Sequence, residues 1–144
     1  MIYTRNEIIK ARELARIYGL KMCREFWFSP IEFMQKHCNG VGSESMFEFA
    51  VEALNAFYHD YQVCAMGHDL DYLLKRFSKE EADRRFYNNM LIVWKAKFGL
   101  KRFLPMGLRD FFRIRAAYVA VRDFGQSAWD SASVDKEDNS NNGA

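Results

Sequence analysis

Four residues in the middle of the chain have the types and the spacing of a hydrolytic site that uses histidine as its base. His68 and Tyr72 are four residues apart, so they share a face if they lie on one helix. Asp83 belongs to the next segment, from which its carboxylate could hold the far ring nitrogen of His68 and fix its tautomer. Asp69 projects about 100° around the helix from His68 and is therefore available for another purpose, such as binding a hard cation.

A long helix is predicted to carry His68 and Tyr72. It starts at residues 45–48, and its apolar stripe places His68 on the buried face. A buried histidine with a tyrosine one turn later is also typical of a structural hydrogen-bond pair, and these two residues alone would favour that interpretation. The stripe consists of Phe49, Ala50, Ala53, Phe57, Tyr61, Cys64, His68 and Tyr72.

A second helix, capped by Ser78 and Glu81, is predicted to carry Asp83 at the margin of its inner face. An unpaired aspartate is costly to bury, so the Tyr72 hydroxyl and His68 are expected as its partners. Alternatively, Asp83 could lie there only because its negative charge is stabilised by the helix dipole near the start of its own helix. The two interpretations do not exclude each other. The inner face consists of Ala82, Phe86, Met90, Val93, Trp94 and Phe98.

Upstream of the long helix, residues 38–42 read CNGVG, a glycine-rich turn. Glycines allow a loop to curl its carbonyl oxygens inward, and backbone carbonyls with a carboxylate are ligands that calcium prefers. This loop and Asp69 together are therefore a candidate cation site. His37, beside the same turn, is more typical of a partly exposed polar residue than of a ligand.

Taken in order, these motifs resemble the phospholipase A2 superfamily, and more narrowly the small phospholipase A2-like proteins encoded by bacteriophages and prophages. The resemblance extends over roughly residues 34–130 as an ordered set, which is much more specific than any single short motif. It is carried by the x-Gly-x-Gly loop at residues 39–42, His-Asp-x-x-Tyr at 68–72, Ala-Asp-Arg-x-Phe at 82–86, Arg-Ile-Arg-Ala-Ala-Tyr at 113–118 and Phe-Gly at 124–125.

The resemblance implies a calcium-dependent esterase that hydrolyses the sn-2 acyl ester of glycerophospholipids at a membrane surface. His68 would take a proton from water while Asp83, assisted by Tyr72, holds the ring. Ca²⁺ would polarise the ester carbonyl and, with the backbone amide of Gly40, stabilise the oxyanion. The implied calcium ligands are the carboxylate of Asp69 and the carbonyls of Cys38, Gly40 and Gly42.

Two other classes of function remain open on the sequence. A non-catalytic phospholipase-like module of phage origin, acting on a host or virion protein, would keep the helices but show no response to calcium. A nucleic-acid binder would use an arginine-rich last helix, and its affinity would fall steeply with salt. No nucleic-acid partner is expected, because a net charge of +2 is too small to indicate one by itself.

Composition indicates one small all-α domain. A chain of 144 residues, 49% of them hydrophobic, can bury one core but is too short for two ordinary domains. Pro30 and Pro105 are its two prolines, and helix-forming residues dominate, so we expect two antiparallel catalytic helices and the upstream loop within an otherwise helical domain. The domain is predicted to cover residues 1–130, followed by a polar, disordered tail at residues 131–144.

No secretory signal or transmembrane segment is predicted, because charges interrupt the first window and no stretch reaches 18 consecutive apolar residues. The protein is therefore expected to be cytoplasmic when it is synthesised in the bacterial host, and release with the virion or at lysis is left open. Cys23, Cys38 and Cys64 cannot all pair, so reduced and mostly buried thiols are expected. A Cys38–Cys64 bridge is the alternative for a released protein.

Helix boundaries are predicted from capping patterns. Thr4 and Glu7 form a capping box for a first helix that stops at Gly19, and Ser29 is expected to cap a short helix ending at His37. Residues 99–108 are predicted to be a non-helical link.

The apolar residues and cations of this link either contact an anionic membrane surface or pack on the body of the protein. The last helix, about residues 108–124, is expected to place its arginines opposite an apolar face. That face is predicted to consist of Phe112, Ala116, Val119 and Ala120.

Overall fold

The computed structural model describes residues 3–38 and 48–132, and for residues 48–59 it describes the backbone alone. Every regular element in these two ranges is helical, which confirms the all-α prediction. Gly40, Gly42 and residues 133–144 of the predicted tail lie outside the described residues. The elements are α1 (Arg5–Tyr18), α2 (Arg24–Phe28), α3 (Ile31–His37), α4 (Glu48–Leu74), α5 (Lys79–Phe98), a 3₁₀ helix (Gly99–Phe103), α6 (Pro105–Phe124) and α7 (Gln126–Ser131).

The predicted boundaries of α1 are confirmed. The Thr4 side chain accepts a hydrogen bond from the Glu7 backbone N–H, and the Glu7 carboxylate accepts one from the Thr4 backbone N–H at 2.7 Å. Gly19 ends the helix at φ 65°, in the left-handed region that glycine adopts without a steric penalty.

The predicted cap of α3 is wrong by one residue. Pro30, not Ser29, occupies the N-cap position, and no side chain caps this helix. The Ser29 carbonyl instead accepts a hydrogen bond from the Arg12 guanidinium at 2.6 Å, which ties the α2–α3 connection to α1.

Helices α4, α5 and α6 form the centre of the protein, with α5 packed against both of the others. The first two are antiparallel, because Asp60 of α4 pairs with Lys97 near the end of α5, while Tyr72 of α4 meets Asp83 near its start. Lys75, at φ 49°, lies in the turn after α4, and Ser78 caps α5 by accepting a hydrogen bond from the Glu81 backbone N–H.

The prediction of a non-helical link at residues 99–108 is wrong, because a 3₁₀ helix covers Gly99–Phe103 and, after the extended residue Leu104, α6 begins at Pro105. Pro105 occupies the first turn of α6, where its fixed φ suits a helix and its missing N–H costs nothing. The Trp94 indole donates to the Gly107 carbonyl at 2.8 Å, and a Cβ on Gly107 would lie 2.3 Å from the Arg102 carbonyl oxygen. The tight packing of this corner therefore requires glycine.

The predicted apolar face of α6 is wrong in part. Phe112 is 67% exposed and Ala116 is exposed, whereas Asp110 is buried. Asp110 can lie inside because the Tyr61 hydroxyl donates to it at 3.1 Å and Lys97 pairs with it. A pattern that counts only apolar residues assigns such a carboxylate to the surface. The predicted buried face of α6 is therefore rotated around the helix from the observed one. The buried residues of α6 are Gly107, Asp110, Ile114, Ala117, Ala120 and Val121.

The three cysteines are free thiols. Cys38 and Cys64 are both buried and unbridged, and burial raises the pKa of each thiol well above its ordinary value. None of the described helices combines the length and the apolar character that crossing a bilayer requires.

Candidate active site

The Asp83 carboxylate is the centre of a buried polar cluster between α4 and α5. Its side chain is 1% exposed, and its Oδ1 atom lies 2.8 Å from His68 Nε2. The same oxygen accepts a hydrogen bond from the Tyr72 hydroxyl at 2.7 Å. The structure therefore brings His68, Tyr72 and Asp83 together, and the two contacts expected of Asp83 are confirmed.

The imidazole of His68 contacts two aromatic rings. The Tyr72 ring, one turn later on α4, is 4.2 Å away between centroids, and the Phe86 ring of α5 is 4.6 Å away. His68 is 4% exposed, so its ring is restrained by packing.

Lys79 is a fourth member of the cluster that the sequence analysis missed. Its ammonium donates to Asp83 Oδ2 at 2.7 Å, to the Val121 carbonyl at 2.8 Å and to the Arg122 carbonyl at 3.2 Å. Lys79 lies between the two residues, Ser78 and Glu81, that predict the start of α5. Its i, i+4 spacing from Asp83 is the signal that could have found the pair.

The hydrogen bonds around Asp83 determine its charge and the tautomer of His68. Burial by itself would raise the pKa of Asp83, but hydrogen bonds from His68, Lys79 and Tyr72 outweigh it and hold the pKa below its ordinary value. An ionised carboxylate only accepts hydrogen bonds, so neutral His68 must carry its proton on Nε2 and its lone pair on Nδ1. Burial and the Asp83 charge raise the pKa of Tyr72, which therefore remains a donor.

Gly125 and helix α7 form one wall of the cluster. Trp129 of α7 packs edge-on against the Tyr72 ring at 5.1 Å, and the Lys75 ammonium lies 5.4 Å from the Trp129 ring centre. A Cβ on Gly125 would lie 2.8 Å from the Tyr72 hydroxyl oxygen, so glycine is needed between α6 and α7. This contact of Trp129 was not predicted from the sequence, because Trp129 lies beside the segment expected to be disordered.

Two of the predicted calcium ligands lie within the described residues. Cys38 follows α3 and is buried, with its sulfur 3.7 Å from the carbonyl oxygen of Met66 on α4. Asp69 lies about one turn after Met66 on the same helix and is half-buried. Burial raises the pKa of Cys38, and the Asp69 carboxylate lies near enough to raise it further. His37 is half-buried and packs on Phe33. The described residues contain no group of three or more His, Cys, Asp or Glu side chains suited to a metal ion.

No protein-family model, no curated protein and no solved structure matches this chain. The cluster has the parts of a water-activating site, namely an imidazole with one nitrogen held by an ionised carboxylate and the other carrying a lone pair. It also has the parts of a satisfied core network, in which the same hydrogen bonds would only stabilise the packing of α4 on α5.

Proposed function

We propose that this protein is a calcium-dependent, phospholipase A2-like esterase that hydrolyses the sn-2 ester of glycerophospholipids. The observation that carries the proposal is the Asp83 carboxylate, which accepts hydrogen bonds from both His68 and Tyr72. These are the residues to which the resemblance gives catalytic roles. The test is release of free fatty acid from mixed phospholipid vesicles in the presence of calcium.

In the proposed reaction, Nδ1 of neutral His68 takes a proton from water as the water oxygen attacks the ester carbonyl carbon. Asp83 holds Nε2 and stabilises the imidazolium that forms, and Tyr72 restrains the carboxylate. His68 then returns the proton to the leaving glycerol oxygen, which gives a lysophospholipid and a fatty acid. General-base catalysis of this kind contributes about 10² to 10⁴ in rate.

The proposed calcium ligands are the carboxylate of Asp69 and the carbonyls of Cys38, Gly40 and Gly42. This donor set suits calcium, because it consists of oxygen atoms with one carboxylate among them. The contact of Cys38 with the Met66 carbonyl supports it, since this places the first residue of the glycine loop against α4 one turn before Asp69. When bound, the ion would polarise the ester carbonyl and stabilise the developing oxyanion.

Calcium is expected to raise the melting temperature of the wild-type protein, and Asp69→Asn is expected to lose most of this shift. A ligand at about 100 times its Kd stabilises the native state by about 2.7 kcal/mol, which corresponds to several degrees. Asp60→Asn is the matched control, because Asp60 also follows a histidine on α4 but is exposed and pairs with Lys97. A wild-type protein with no shift at millimolar calcium would favour the non-catalytic binding module instead.

A cationic apolar surface on the 3₁₀ helix and the start of α6 is the proposed contact with lipid. Leu100 is 86% exposed, and the other apolar side chains of this surface are also exposed, so they do not pack on the body of the protein. Asp110 is the one acidic residue in the segment 99–115, and it is buried and paired. The surface consists of Leu100, Lys101, Arg102, Phe103, Leu104, Met106, Leu108, Arg109 and Phe112.

The composition of this surface suits an anionic lipid layer, into which exposed apolar side chains insert while cations meet headgroup phosphates. Residues 83 and 98 are separated by 15 positions on α5, about 22 Å along the helix. The surface would therefore anchor the protein at a distance from His68 and Asp83 and not form the entrance to the cluster. Phage origin and release with the virion or at lysis remain predictions of the resemblance.

Replacing Phe103 and Phe112 with serine is expected to weaken binding to anionic vesicles by at least about tenfold, because each phenyl group gains about 1.5 to 3 kcal/mol when it leaves water. Both side chains are exposed, so the melting temperature should hardly change. Phe28→Ser removes a 78% exposed phenylalanine on α2 and is the matched control. Vesicle co-sedimentation measures the effect, and equal binding by all three proteins would contradict the assignment of this surface.

A further inference from the structure

Lys79 connects the start of α5 to the end of α6 through a buried ammonium. It is 9% exposed, and its three hydrogen bonds go to one Asp83 oxygen and to the carbonyls of Val121 and Arg122. It also lies 6.0 Å from the centre of the Tyr72 ring. The Arg122 carbonyl lies in the last turn of α6, where carbonyls lack intrahelical donors, whereas the Val121 carbonyl also accepts a hydrogen bond from the Gly125 backbone N–H at 2.9 Å. The ammonium therefore satisfies the end of α6, and its place is set by that backbone as well as by Asp83.

The two oxygens of Asp83 are divided between different partners. Oδ2 faces Lys79, and Oδ1 faces His68 and Tyr72. Rotation about the terminal torsion of an aspartate is soft, so a carboxylate held at only one oxygen can turn. A charge-assisted bond at Oδ2 removes this freedom, and it also gives the buried carboxylate a counter-charge that neither His68 in its neutral form nor Tyr72 supplies.

We propose that Lys79 is a positioning residue, whose ammonium, fixed by the carbonyls of Val121 and Arg122, holds the Asp83 carboxylate in the orientation that receives Nε2–H of His68. As a role in catalysis it rests on the proposed function. As a statement about the geometry of His68 and Asp83 it stands on the contacts alone. In this account the end of α6 takes part in orienting the base, although it contributes no side chain to the contact with His68.

The kinetic test compares Lys79→Met with Lys97→Met. Both lysines lie on α5 and pair with a buried carboxylate, but Lys97 meets Asp110 at the opposite end of the helix. Lys79→Met is expected to lower kcat per folded molecule by about 10- to 100-fold with KM nearly unchanged, because a small misplacement of a catalytic group costs this much. Lys97→Met is expected to keep the wild-type kcat. A folded Lys79→Met protein with the wild-type kcat would overturn the proposal.

A spectroscopic test does not depend on hydrolysis. In the wild-type protein the hydrogen-bonded Nε2–H proton of His68 is expected as a downfield resonance, assigned by ¹⁵N-histidine labelling and by its loss in His68→Gln. Lys79→Met should shift or broaden this resonance, and Lys97→Met should leave it unchanged. If Lys79→Met does not fold, Lys79→Gln, which is also neutral, takes its place. An unchanged resonance in the Lys79 variant overturns the positioning role. If the wild-type protein hydrolyses no lipid but the Lys79 variant still shifts the resonance, only the proposed function is refuted.

Discussion

Replacing His68 with glutamine is expected to lower phospholipid hydrolysis by about 10²- to 10⁴-fold while leaving helicity and the unfolding midpoint nearly unchanged. Glutamine fills much of the same space and can still donate a hydrogen bond to Asp83, but it cannot accept a proton from water near neutral pH. Alanine should abolish activity as well, at a greater cost in stability, because it removes a partner of the buried Asp83 carboxylate. Initial rates on vesicles and thermal unfolding of the same preparations measure the two effects.

The matched control is His37→Gln. His37 is half-buried and packs on Phe33 of α3, whereas His68 is buried and contacts Asp83. This variant should hydrolyse lipid at the wild-type rate. A His68→Gln protein with wild-type turnover would remove His68 from the mechanism, whatever its contacts with Asp83.

Replacing Asp83 with asparagine is expected to lower turnover by about 10²- to 10⁴-fold without abolishing calcium binding, because the amide no longer fixes the proton of His68 on Nε2. Tyr72→Phe should cost only about 2- to 10-fold, since it deletes one hydrogen bond and keeps the packing. If the residues act as a unit, the double variant should be hardly slower than Asp83→Asn alone.

A purely structural cluster gives a different result for the same variants. Each change would then lower stability, by roughly 1 to 3 kcal/mol for a stranded buried polar group, without changing the rate per folded molecule. Asp83→Asn also leaves the Lys79 ammonium without its counter-charge, so every rate has to be referred to the folded fraction. Strictly multiplicative rate losses, or losses that unfolding fully explains, would contradict the orienting role of Asp83.

The core of the cluster could be predicted from the sequence because its signals are local. His68 and Tyr72 share a face through their i, i+4 spacing, and Asp83 is a charged residue at the margin of an apolar stripe, which requires a buried partner. A capping pattern also gives the start of α5 directly. These features depend on helix periodicity alone, and the contacts of Asp83 followed from them.

The contacts that were missed depend on residues far away in the sequence. Lys79 meets carbonyls of Val121 and Arg122, and backbone carbonyls carry no residue-specific signal. Asp110 is buried because of Tyr61 and Lys97, so counting only apolar residues placed the inner face of α6 incorrectly. The proposed calcium ligands are also hard to predict, because backbone carbonyl ligands leave only the glycines of the loop as a sequence signal. Gly40 and Gly42 lie outside the described residues.

The central claim is tested most directly with vesicles of a phospholipid that carries different acyl chains at sn-1 and sn-2. Mass spectrometry of the products, in calcium and in a calcium chelator, identifies which ester is cleaved and whether the metal is needed. The proposed function predicts calcium-dependent release of the sn-2 chain by the wild-type protein and none above background by His68→Gln. No release at millimolar calcium, or release that His68→Gln leaves unchanged, would contradict it.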